Sequence, residues 1–144
     1  METARPVPND NSASLPAFQD ACDQLSAAVD AAQFERLRWA RTEAPMLARL
    51  VELALAAVED RDDFELTDEG SGGAIRRFVV KVHSFRIVAV VVSLSGVSVS
   101  VNAEAIERSR YRVAPGEPVT APFDRVDGAW MAQALAAQFA RIQA

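Results

Sequence analysis

The residues equipped for chemistry are few, and they stand alone. His83 is the only histidine and Cys22 the only cysteine in 144 residues. A general base or a nucleophile works through a partner placed beside it, and neither residue is accompanied by a GxSxG-type motif. A single cysteine also excludes an intramolecular disulfide and a cysteine-cluster metal site. Asp124 and Asp127 have the right type for paired carboxylates, but both stand where a helix needs an N-cap. An enzyme is therefore the weaker expectation, and no cofactor is implied.

Two further stretches suggest ions or phosphate. Glu59 to Glu69, EDRDDFELTDE, holds seven acids and one base, yet it lacks the DxDxDG spacing of a calcium loop. It is expected to be a charged helix end leading into an edge strand, without a metal. The GSGG at 70–73 lacks the GK[ST] ending of a phosphate loop and precedes a strand rather than a helix, so it reads as a turn.

The arginines are the remaining chemical signal. Fourteen of the 15 bases are arginine, and Arg108, Arg110 and Arg112 alternate with Ser109, Tyr111 and Val113. On an edge strand those three guanidinium groups would share one face, where they would meet an acidic partner or phosphate, or guard the edge. Arg36, Arg38, Arg41 and Arg49 crowd a helix junction and read as a solvated helix face.

The elements that must position these residues follow from composition and periodicity. Half the residues are apolar and 24% charged, enough for a packed core. The net charge of −5 disfavours nucleic acid and anionic membrane as partners. The N-terminus has no apolar run to serve as a signal peptide and no segment reaches membrane length, so a cytoplasmic location is expected.

Residues 1–14 are polar, carry Pro6 and Pro8, and read as a flexible tail before a single α+β domain over 15–144. Leu15, Phe18, Cys22, Leu25, Val29 and Ala32 recur at three- and four-residue steps, the pattern of an amphipathic helix with Cys22 on its buried stripe. The stripe loses phase near Gln33, which predicts a kink or break. A second helix is capped at Thr42, with Pro45 in its first turn and Met46, Leu47, Leu50, Val51, Ala54, Leu55 and Val58 on its stripe.

The region from Ile75 to Val101 is dominated by β-branched residues, and its first twenty would span about 60 Å if extended, so it must fold back. Turns at 70–72, 84–86 and 95–96 give a meander in which Phe64 faces Phe78, Val82 faces Val88, and Leu94 faces Val97. One face then carries Phe64, Leu66, Phe78, Val80, Val82, Val88, Val90, Val92, Leu94, Val97, Val99 and Val101 beneath the helices. The other carries Val79, Ile87, Ala89 and Val91 at its centre, bordered by Arg77, Lys81, His83 and serines.

Asn102 to Glu107 is expected as a wide turn or one helical turn, Arg108 to Val113 as an edge strand, and 114–123, with three prolines, as a connector. A final helix capped at Asp124 or Asp127 presents Met131, Leu135, Phe139 and Ile142, with Trp130 as a core anchor. The predicted architecture is thus two N-terminal helices, an antiparallel meander of four to five strands, and a C-terminal helix packed on the sheet.

An apolar centre inside a polar rim is how a contact surface is built. The expected function is a non-enzymatic protein-interaction module, of adaptor, chaperone-like or inhibitor type, that meets a protein partner or a second copy as a homodimer. Its binding residues would be Arg77, Val79, Lys81, His83, Ile87, Ala89 and Val91, with Arg108, Arg110 and Arg112 at the edge. The alternative is a small-molecule-binding domain with a pocket between sheet and helices.

Overall fold

The computed structural model describes residues 7–144, and their side chains from residue 14. The first six residues of the expected tail lie outside the described residues. Contacts divide the chain into two units, Met1–Thr42 and Glu43–Ala144.

In the first unit, α1 (Val7–Val29) and α2 (Ala31–Arg41) are joined at Asp30. The expected break falls there, three residues before Gln33. Asp30 has extended backbone and its carboxylate accepts from Gln33 N at 3.1 Å, so it ends one helix and caps the next. Helix α1 also begins ahead of Leu15, the first residue of the apolar stripe. Among the described residues this unit buries no side chain, and Cys22, placed by its spacing on a buried stripe, is exposed. Helix α2 is short and flanks α1 beside Gln19, Cys22, Asp23 and Ser26, with an open groove between them, so Cys22 borders α2 without being buried.

The second unit opens with α3 (Glu43–Val58), which buries Leu47, Leu50, Leu53 and Ala54. Strands β1 (Phe64–Asp68), β2 (Ile75–Val82), β3 (Phe85–Ser95) and β4 (Ser98–Glu104) then form an antiparallel meander. A two-residue β5 (Arg112–Val113) and β6 (Val119–Pro122) precede α4 (Gly128–Phe139) and a two-residue β7 (Ile142–Gln143). The main sheet has five strands in the order β1-β2-β3-β4-β6, and β5 pairs with β7. N-terminal helices, a meander and a C-terminal helix on the sheet are the architecture expected from the sequence.

The fifth strand is not the one expected. Arg108–Val113 is extended only at its last two residues, and the edge position is taken by β6 from the proline-rich connector. Proline is tolerated there because an edge strand has a side that needs no ladder bond. Val119 and Ala121 point the same way as their partners Val101 and Val99 and extend the core face.

Outside the bulge at Val80/Lys81, the registers differ from the expected ones by an even number of residues in every hairpin. Phe64 pairs with Val82 rather than Phe78, Val80 with Val88 rather than Val90, and Leu94 with Val99 rather than Val97. An even displacement leaves each side chain on its face, so the core assignment survives. The exception is Val97, which sits in the turn beside Gly96 and is exposed. Gly96, at φ 63°, is the first central residue of that two-residue turn and supplies its positive φ.

Helix α3 lies against β1 and β3, α4 against β4 and β6, and the two helices touch. Between them and the sheet, Leu47, Leu50, Met131, Phe78, Val80, Val88, Val90, Val92, Val99 and Val101 are close-packed and buried. Helix α4 starts where expected, with Asp127 accepting from Trp130 N at 2.8 Å. One buried residue among those described is polar. The Gln138 amide accepts from Ala103 N at 2.9 Å and donates to the Glu117 carbonyl at 3.1 Å, which satisfies β4 where β6 no longer pairs with it.

Candidate functional site

The outer face of the sheet is covered at its centre. Val79 and Ala89 are 0% exposed and Ile87 7%, although all three lie away from the helices. Two ion pairs cross this face diagonally. Arg77, paired with Val91, reaches Glu104, paired with Ala89, at 2.8 Å. Arg86 on β3 reaches Glu69, beyond the end of β1, at 2.8 Å, passing the strand that carries Val79. Arginines stretched across a sheet in this way lay their aliphatic stems along it.

The Arg86 guanidinium holds the Glu69 carboxyl below its ordinary range through their hydrogen bond, with burial opposing and Lys81 and Arg77 adding attraction. Lys81 is half-buried opposite Glu65 and Arg86, and Val91 is half-buried. Arg77, Val79, Lys81, Ala89 and Val91 therefore form a closed layer rather than an open patch.

Beyond this layer, at the end of the β2–β3 hairpin, the backbone changes character. His83 and Ser84 form a two-residue turn between Val82 and Phe85, with φ of 50° and 71°. Positive φ at both central residues is the type I′ pattern, which glycine and asparagine normally supply. One turn earlier, Val80 pairs with Val88 and Lys81 with Arg86, so Ile87 is the extra residue of a β-bulge. Its carbonyl would be left without a ladder partner, and the Ser109 hydroxyl donates to it at 2.5 Å while accepting from Tyr111 N at 3.0 Å. Arg108, immediately before Ser109, is left-handed at φ 65°.

These three are the positive-φ residues other than glycine among the described residues, and all line one open groove of about 460 Å³. Its walls are the hairpin end, Val82 to Ile87, and the loop Arg108 to Tyr111. Phe85 is 65% exposed and Tyr111 37%, so two aromatic rings stand in solvent beside His83, Arg86, Arg108 and Arg110. No acid contributes to the lining. Arg86 is neutralised by Glu69, whereas Arg108 and Arg110 have no ion-pair or hydrogen-bond partner among the described residues. Left-handed backbone outside glycine is strained, and it persists where surrounding structure holds it.

Of the residues singled out by sequence, His83, Ile87, Arg108 and Arg110 come together here. Arg112 does not, since it lies in β5 opposite Gln143, so the three arginines do not share one strand face. Phe85, Arg86, Ser109 and Tyr111 were not picked out by spacing. Shortening the expected hairpin loop from three residues to two would have put Phe85 opposite Val82 and brought the first two to notice.

The groove favours anions with an apolar part, through unpaired guanidinium groups beside exposed rings. No hydrogen bond joins His83 to Ser84 or Ser109, and Ser109 is committed to the backbone. Among the described residues no group of three or more histidine, cysteine or acidic side chains is placed to hold a metal ion. No helix among them is long and apolar enough to cross a membrane. Compared with known proteins, the chain matches no family model, no curated protein and no solved structure.

Proposed function

We propose that the chain is a protein-interaction module that holds an acidic, aromatic-containing segment of a partner in the groove between the β2–β3 hairpin end and the 108–111 loop. The observation that carries this is the convergence of strained backbone at His83, Ser84 and Arg108 with two unpaired arginines and two exposed rings. Strain and bare charge both oppose folding, so their coincidence points to a site kept for binding. The reading keeps the class expected from the sequence and moves the contact from the centre of the outer face to its end, because Val79 and Ala89 are covered.

The test is an NMR or fluorescence titration of the whole chain with a glutamate–phenylalanine peptide, with inorganic phosphate and a mononucleotide as comparison arms. The peptide should bind in a salt-dependent manner, shift signals of Phe85, Ser109 and Tyr111, and lose most of its affinity to the Arg108→Ala/Arg110→Ala variant. Peptide binding that ignores this variant, or saturation by phosphate or nucleotide alone, overturns the reading.

A further inference from the structure

The first unit poses a separate problem. Leu15, Phe18, Cys22, Leu25 and Val29 follow one another along α1 at steps of three, four, three and four, the seam of a coiled coil. None of them is buried, and Leu15, Phe18, Leu25 and Val29 are between 62% and 78% exposed. An amphipathic helix gains most of its stability by burying such a face, so the stripe needs an occupant.

We infer that the occupant is α1 of a second copy of this chain. A 3-4 seam is matched in pitch by another helix carrying the same repeat, and a second copy supplies it layer for layer. Of the flanking positions, Gln19 and Ser26 border α2, while Ala21 and Ala28 on the other side are neutral and small, so on that side two copies meet without like charges and can approach closely. The acids Asp20 and Asp23 lie off the seam, where they would give a basic partner little purchase and another copy little repulsion. The area also suffices. The four large apolar side chains of two copies together offer on the order of 1,000 Å², about what a specific interface must bury.

Self-association through α1 is independent of the groove in the second unit, and either can fail alone. The test is sedimentation of the full chain across micromolar to near-millimolar concentration, with a Phe18→Glu/Leu25→Glu variant. The wild type should be a dimer at the upper end. The variant should dissociate about a hundredfold more readily, because each copy would bring two charges into the seam. Near-ultraviolet circular dichroism should stay unchanged in the variant, showing that the Glu43–Ala144 core is intact. Hydrogen exchange on the wild type supplies a readout without mutation, with amides from Phe18 to Val29 more protected at high than at low concentration. A wild type that stays monomeric, or a variant that dimerises as tightly as the wild type, overturns the inference.

Discussion

Two arginine-bearing regions of the outer sheet face are built from similar residues and put to opposite use. Across the centre, Arg77 and Arg86, the latter reaching in from the hairpin end, are each tied to a carboxylate, and Val79 and Ala89 are sealed from water. At the hairpin end, Arg108 and Arg110 have no such partner among the described residues, and Phe85 and Tyr111 stand in solvent. Arginine content alone does not separate a structural cover from a binding surface. Pairing and backbone separate them: the backbone is regular under Arg77 and left-handed at Arg108, while Arg86, beside the Ile87 bulge, joins the cover only through Glu69.

Val79→Asp tests the closed region most severely. A carboxylate at a fully buried position without a partner costs about 3 kcal/mol or more, enough for thermal denaturation to show a large loss. An open face would tolerate the change within about 0.5 kcal/mol, and that result would break the comparison. Arg77→Ala removes the bond to Glu104 and the stem over the apolar centre, and should cost about 1 kcal/mol. Arg110→Ala, assayed alongside it, should leave stability unchanged.

At the strained end the sign reverses. Ser84→Gly relieves a positive φ and should raise stability by about 0.5 to 1 kcal/mol in a denaturant titration. A loss of stability would mean that Ser84 is not strained. The smallest effect distinguishes the two regions by pH. The Glu69 carboxyl is held low in the folded state, so its contribution is present above the ordinary carboxylate range and is lost as pH falls through the lowered value. Glu69→Gln should flatten part of the acid limb of the stability profile, whereas removing Arg108 and Arg110, which face no acid in the groove, should leave that limb unchanged.

What the sequence made legible was periodicity. The two faces of the sheet follow from alternation, and outside the Ile87 bulge they survived errors of two or four residues in register because only parity decides a face. Asp127 was readable as a cap because capping chemistry is local. The groove was not readable, for three physical reasons. Its walls are distant in sequence, joined by the Ser109 hydroxyl on the Ile87 carbonyl. A bulge at Ile87 leaves no mark in a run of β-branched residues. Histidine, serine and arginine at positive φ carry none of the glycine or asparagine signal that announces such a turn. Strand β6 was hidden likewise, since three prolines in 114–123 speak for a connector until an edge position excuses them.

The central claim is that strain and unpaired charge at the hairpin end are kept for binding, and Arg108→Gly tests both together. Glycine accepts the left-handed backbone at this position and removes the guanidinium. Measured side by side, denaturant stability should rise by about 0.5 to 1 kcal/mol while affinity for the acidic aromatic peptide falls about tenfold or more. A variant that is less stable than the wild type, or that binds the peptide equally well, would contradict the account.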